Sequence, residues 1–428
     1  MGRIFQDRNY AQLIRWSVLS GQVTVLQIVV QAINAITGLL LVRYLPKDEY
    51  AWFTLSSSLL ATLNILSDGG IATGLMSVGG RIYNQKNHFA RLLLDGLYIT
   101  RWLIGLALLL VIPLFYLLFV NVDTPRSLTI AALFLAALAV WPSMSTTLLN
   151  VANRLHTRVQ AIQFAEILAG TVRLGLTALM LLSGWMTMLA ALATTVITCW
   201  SQALIVRRQT QCFIQSPSET ASYRPEIRGF VRSLYLNHIF FCFQAQITLW
   251  IIGWMAGTSE VADLGALSRL GILFVALIAP VNHLAVPAIA RIQDIKVLRK
   301  RFILVFLVPL FITGSIVAIA VWQPTPFLWI LGSNYNHLTT ELPLALCAQG
   351  VSFIAALAWG LILARGWVQH AWLIIITTVI GFIIGAACFQ LGTVTGILYF
   401  NMISVVPTMV LCAVIIFHKL SVNIIDSK

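Results

Sequence analysis

Twelve blocks of mainly apolar residues run almost end to end through this 428-residue chain, each about as long as the ~20 residues a helix needs to cross a bilayer. They cover roughly 18–42, 50–77, 93–119, 128–151, 159–183, 187–206, 234–256, 264–289, 302–322, 340–363, 372–391 and 395–417. In lipid every backbone N–H and C=O must be satisfied within the protein, which leaves helices and closed barrels as spanning structures. Barrel strands are shorter and alternate polar with apolar; these blocks do neither. The expectation is an all-α membrane protein of about 12 transmembrane helices. Composition agrees, with 59% hydrophobic and only 10% charged residues, against about 25% charged in soluble proteins. The first block is too long and too polar to read as the core of a cleavable signal peptide.

The net charge is +13, which by itself could point to nucleic acid. The placement of the charge gives another reason. Twenty-one of the 27 Lys and Arg fall on one side of the alternating blocks, in the gaps around Arg81–Arg91, Arg154–Arg158, Arg207–Arg232 and Arg291–Arg301, at Arg365 and near both termini. Three fall on the other side (Arg43, Lys47, Arg126), and Arg101, Arg173 and Arg269 lie inside blocks. Basic residues collect on the cytoplasmic side, so both termini are expected there and no nucleic-acid partner is expected. The longest polar gap, 207–232, sits at the midpoint and contains Ser216-Pro217-Ser218. It divides the chain into a six-helix bundle over 1–206, a cytoplasmic linker over 207–233 and a second bundle with a short tail over 234–428. Six helices return the chain to the same face, so the halves should be two parallel six-helix bundles enclosing a central cavity. Residues 48–56 (DEYAWFTLS) and 260–268 (EVADLGALS) open the second and eighth blocks and match weakly at an offset of 212.

Ionisable groups inside a span are costly and need a reason. In the fifth block Gln163, Glu166, Gly170, Arg173 and Thr177 follow a 3/4 spacing that gathers them on one helical face. Arg173 is then a candidate to grip a phosphate with two parallel hydrogen bonds; a structural ion pair with Glu166 or Asp68 is the competing reading. Arg269 shares a face with Pro280, His283 and Pro287 in the eighth block, and Arg101 lies in the third. Either arginine could instead snorkel to an interface. The first block carries Gln31 and Asn34 in a neutral polar stripe, the second Asn64 and Asp68, and the seventh Asn237, Gln244 and Thr248. Together Arg173, Arg269, Arg101, Gln31, Asn34, Asn64 and Gln244 are the candidate substrate-binding residues. Asp68 and Glu166, as the mid-span acids, and His283, by its unperturbed pKa near 6.5, are candidates for ion coupling. The six cysteines show no metal-like spacing. No metal site, cofactor or catalytic residue is expected, although a proton or Na⁺ gradient could drive a cycle through the carboxylates.

The opening residues resemble a family. Arg43-Tyr44-Leu45-Pro46, then Asp48-Glu49-Tyr50, then Leu66-Ser67-Asp68-Gly69-Gly70 are similar to the start of polysaccharide flippases of the multidrug/oligosaccharidyl-lipid/polysaccharide exporter superfamily. The sequence departs from that pattern at Ala51-Trp52, where a glycine is usual. Ser268-Arg269-Leu270 is similar to the Arg-Leu that opens the eighth span of lipid II flippases, whose arginine contributes to the substrate site. The resemblance implies a bacterial inner-membrane transporter that moves an undecaprenyl-pyrophosphate-linked oligosaccharide by alternating access, for O-antigen, capsule or exopolysaccharide synthesis. It implies membrane lipids as partners, together with the polymerase and glycosyltransferases of the pathway. A multidrug exporter of the same superfamily is the alternative; a cationic cargo would call for more carboxylates inside the spans than Asp68 and Glu166. A membrane glycosyltransferase or polymerase is a more distant one. Asp48-Glu49 occupies the place where such enzymes keep carboxylates, but no nucleotide-binding or hydrolytic motif accompanies it.

Overall fold

Pro46 cannot continue a helix and biases the residue before it away from helical geometry, so the first helix, α1 (Val25–Tyr44), ends just before it. The same proline precedes α2 (Lys47–Asp68), whose first turn carries Asp48 and Glu49, the charge sign a helix N-terminus favours. The computed structural model describes residues 25–215, 222–274, 289, 295–365, 367 and 372–425. The helices continue as α3 (Ile71–Ile82), α4 (Lys86–Asn121), α5 (Arg126–Leu155), α6 (Val159–Leu182), α7 (Met188–Ile214), α8 (Arg224–Met255) and α9 (Thr258–Arg269). After these come α10 (Ile295–Trp322), the short α11 (Thr325–Leu331), α12 (Glu341–Ala364), α13 (Leu373–Cys388) and α14 (Val394–Ile425). Regular structure among the described residues is helical throughout. Nine of these helices are long and apolar enough to cross a membrane, or ten when α2 and α3 are taken as one bent span, and α13 is a shorter apolar helix. Each expected block corresponds to one helix or to the bent pair. The eighth enters α9 and passes outside the described residues after Phe274.

The chain separates into two compact units. One is Ile36–Gly265; the other joins Ala35 and the described residues before it to those from Ala266 onward. The sequence reading divided the chain at 207–233, whereas these units divide at 35/36 and 265/266. The physical reason is α8, the seventh span, which packs along α2, α3 and α4 and so stays with the helices before it. The expected linker is also mostly helix: α7 runs to Ile214 and α8 begins at Arg224.

The Ile36–Gly265 unit has its core where α3, α4, α5 and α8 meet, around Ile71, Leu75, Phe89, Leu93, Val151 and Ile227. At the opposite end, Asn121 Nδ2 donates to the carbonyls of Gly253 and Trp254, at 3.0 and 2.9 Å. The starts of the two segments that match at the 212-residue offset meet there. Lys47 Nζ donates to Ser259 Oγ at 2.8 Å, a pair separated by that same offset. It also pairs with the Asp263 carboxylate at 2.8 Å. The other unit is built from α10, α12, α13 and α14, with Leu298, Phe302, Leu361 and Cys412 at its core.

Candidate functional site

The bent span is the first feature that positions chemistry. Gly69 and Gly70 have φ of +48° and +94°, values that side chains with a Cβ rarely adopt. They turn the chain by 42° between α2 and α3. Space is short as well: a Cβ at Gly69 would lie 2.8 Å from the Tyr235 ring, and one at Gly70 2.9 Å from Leu234. Within a membrane a break of this kind frees backbone groups that must find partners. Asp68 supplies one, since its Oδ1 accepts from Ala72 N at 3.0 Å.

The second carboxylate oxygen of Asp68 faces His238 Nε2 on α8 at 3.4 Å. His238 Nδ1 lies 3.0 Å from the Leu234 carbonyl oxygen. A carbonyl only accepts, so Nδ1 must carry the hydrogen. In the neutral ring Nε2 would then turn a lone pair toward the carboxylate, an arrangement that satisfies neither group. A proton placed between the two side chains would satisfy both. Asp68 and His238 thus form an acid–imidazole pair at the break of a discontinuous span.

The pair heads a polar seam between α2 and α8. Thr62 is within hydrogen-bonding reach of Cys242, and Ser58 Oγ donates to Gln246 Oε1 at 2.6 Å. On α8 these partners are 238, 242 and 246, four apart and on one face. Gln244, which the sequence singled out, points elsewhere and is half-buried. Asn64 lies one turn from Asp68, with its Oδ1 buried and unbonded. His238 was not among the sequence candidates. The available signal was an ionisable residue inside a predicted span.

The fifth-block stripe on α6 does face inward in this unit, with Gln163, Gly170 and Thr177 buried and Glu166 and Arg173 half-buried. Arg154 is the charge within reach of Glu166, and Cys199 of α7 is within reach of Arg173. Arg101 stands elsewhere, in a groove between α4, α5 and α7, with its guanidinium 5.0 Å over the Trp141 ring. Gln31 (half-buried), Asn34 (exposed) and Arg269 (half-buried, the last residue of α9) belong to the other unit. His283 lies outside the described residues. Glu49, one of the two carboxylates on which an enzyme reading leans, accepts a short hydrogen bond from Met188 N. It thus caps α7 beside the Thr187 side chain. Among the described residues no group of His, Cys, Asp and Glu could hold a metal ion.

A further acid emerges at the basic end of the unit. Asp95 of α4 is 1% exposed. It accepts from Tyr223 N and from Arg224 Nε, each at 2.9 Å, and Arg91 Nε approaches to 3.4 Å. Arg224 also lies 4.2 Å over the Tyr98 ring. This cluster fastens the start of α8 to α4. Burial holds the phenol of Tyr223 above its ordinary pKa, with Glu226 adding to the effect.

No family model matches the sequence, and no curated protein matches it either. Solved structures do. An inward-facing multidrug resistance MATE-family transporter of the MOP superfamily superposes with a TM-score of 0.72 at 13% identity, over 92% of this chain and 95% of that one. The fold is the MOP-transporter fold. The lipid II flippase MurJ, in an inward closed conformation, is similar at a TM-score of 0.69 and 13% identity, over 94% and 90%. A MOP-superfamily transporter from Pyrococcus furiosus, described as having a binding pocket of reversed polarity, gives 0.60 at 13% identity, over 95% of each chain. These proteins are transporters and a flippase rather than enzymes.

Proposed function

We propose that the protein is a flippase that carries a polyprenyl-pyrophosphate-linked oligosaccharide across the bacterial inner membrane by alternating access, driven by proton exchange at Asp68 and His238. The observation that carries this reading is the Asp68–His238 pair built onto a broken span, in a fold shared with MATE transporters and MurJ. The cargo assignment rests on charge. In one unit Arg173, on the inward stripe of α6, and in the other Arg269, at the end of α9, each carry a planar donor suited to a phosphate; Asn64 and Gln244 in the first and Gln31 and Asn34 in the second suit a sugar. The polymerase and glycosyltransferases of the pathway are the partners this reading implies.

The test uses the full chain in proteoliposomes with a fluorescent undecaprenyl-pyrophosphate saccharide. A charge-assisted contact is worth about 1.5–3 kcal/mol, so Arg173→Ala or Arg269→Ala should weaken binding roughly ten- to hundredfold. Arg→Lys should lose less, because it keeps the charge without the planar fork. Normal translocation by either alanine variant would remove that arginine from the site. The similarity to MATE structures favours the multidrug alternative. Efflux of an organic cation such as ethidium, with no movement of the lipid-linked probe, would establish it.

Both termini are proposed to be cytoplasmic, on the strength of the basic-residue asymmetry. A single cysteine at Asn336 should then react with an impermeant thiol reagent from outside intact cells. One at Ser218 should not, and labelling there would reverse the orientation.

A further inference from the structure

The groove that holds Arg101 has a construction that the transport reading does not use. It is a cavity of about 240 Å³ between α4, α5 and α7, lined by Arg101, Trp141, Ser145, Trp200, Leu204 and Arg207. At 1.5 Å per residue, Arg101 lies about 30 Å from the far end of α4, Trp141 about 22 Å from the far end of α5, and Arg207 about 28 Å from the far end of α7. The hydrocarbon core of a bilayer is about 30 Å thick, so all three sit near one interface, on the arginine-rich side. A second cavity, of about 390 Å³, adjoins the first through Leu204 and Arg207 and adds Arg208.

From that polar end, each helix continues the groove into the membrane with large exposed apolar side chains. On the face of Arg101, α4 presents Leu109, 72% exposed; on that of Trp141, α5 presents Leu138 and Phe134, the latter 66% exposed. On the face of Arg207, α7 presents Leu204, 55% exposed, then Trp200 and Ile197. Exposed apolar surface at this depth meets acyl chains. Two guanidiniums, the Trp141 indole and the Ser145 hydroxyl toward headgroup level, above three apolar strips that include Trp200, match the outline of one phospholipid. Basic pockets between spans on the cytoplasmic side bind anionic headgroups for this reason.

The other unit has a simpler groove on the corresponding helices, with one arginine above an apolar lining. Its larger cavity, about 500 Å³, lies between α10, α12 and α14, which are the third, fourth and sixth spans of the second half, as α4, α5 and α7 are of the first. It begins at Arg299 and continues along one face of α10 through Ile303, Leu307 and Leu310, with Phe417 opposite; these four are exposed. A snorkelling arginine needs no groove, and the recurrence on the same three spans argues for one occupant class.

We propose that the groove between α4, α5 and α7 binds an anionic phospholipid, with Arg101 and Arg207 on its phosphate and its acyl chains along Leu109, Phe134 and Leu204. The α10–α12–α14 groove takes a second lipid at Arg299. The site stands independently of which cargo is moved.

The full-length protein, stripped of lipid in detergent, is titrated with phosphatidylglycerol, and bound lipid is counted by native mass spectrometry. The wild type should retain phosphatidylglycerol in preference to phosphatidylcholine. Arg101→Ala with Arg207→Ala should bind one lipid fewer, with affinity at that site lowered about a hundredfold; Arg299→Ala should remove the other. Leu204→Trp fills the acyl strip without touching the charge and should also lose a lipid, which keeps the test open if the double alanine variant misfolds. An unchanged lipid count in the arginine and Leu204 variants overturns the proposal. So does displacement of phosphatidylglycerol by an equal concentration of polyprenyl pyrophosphate, which would make the groove part of the cargo path.

Discussion

Replacing Asp68 with Asn should leave a protein that binds its cargo and folds, but whose transport no longer responds to a proton gradient. Asn keeps an oxygen for Ala72 N, so the cap on α3 survives, yet it offers no carboxylate to share a proton with His238. His238→Gln should act alike from the other side, because an amide does not titrate in the accessible range. The measurement is the ratio of translocation rates in proteoliposomes with and without an imposed pH difference. It should fall to one in both variants while probe affinity stays within a few fold of wild type. A ratio that matches wild type in both would mean that the pair is a structural hydrogen bond and that the driving ion binds elsewhere. Glu166→Gln is the natural comparison, since Glu166 is also half-buried inside a span.

The largest loss of stability should follow from Asp95→Ala. The substitution removes the acceptor of a backbone N–H and of a guanidinium in a setting where Asp95 is almost wholly buried. Breaking a fully buried pair costs about 3–5 kcal/mol. Arg224 is partly exposed and can recover water, so about 2–3 kcal/mol is expected here. Asp95→Asn retains an acceptor and should cost less. Thermal unfolding in detergent, followed by circular dichroism, measures both. An Asp95→Ala protein that melts with the wild type would show that α8 is held by its apolar contacts with α3 and α4 alone.

Most of the architecture was readable because hydropathy reports what lipid selects. Among the described residues, the predicted blocks fall on helices or on the bent pair. What hydropathy could not report is helix that continues beyond the apolar stretch. α4 starts at Lys86 rather than at 93, and α8 at Arg224 rather than at 234, because Arg, Lys, Gln and Glu are good helix formers in water. The same effect hides the helix at 207–214 and 224–233 within the expected linker. Asp95 was overlooked because it fell at the edge of a block, where an acid looks solvated until the Arg224 side chain is seen to fold back on it. His238 was overlooked because the seventh block was weighed by its neutral polar residues, among which Gln244 is off the contact face. Gly69-Gly70 was legible as a motif. That it bends a span by 42° was not, since two glycines in a row suit a close helix contact as well as a turn.

The Lys47 clasp has a bearing on how this end of the unit responds to salt. Screening weakens exposed ion pairs far more than partly buried ones. The Lys47 and Asp263 side chains are 24% and 7% exposed, and the same ammonium also donates to Ser259 Oγ. The Arg81–Glu226 pair is 67% and 50% exposed. Rising ionic strength should therefore loosen the Arg81–Glu226 pair first and leave the start of α2 fastened to the start of α9.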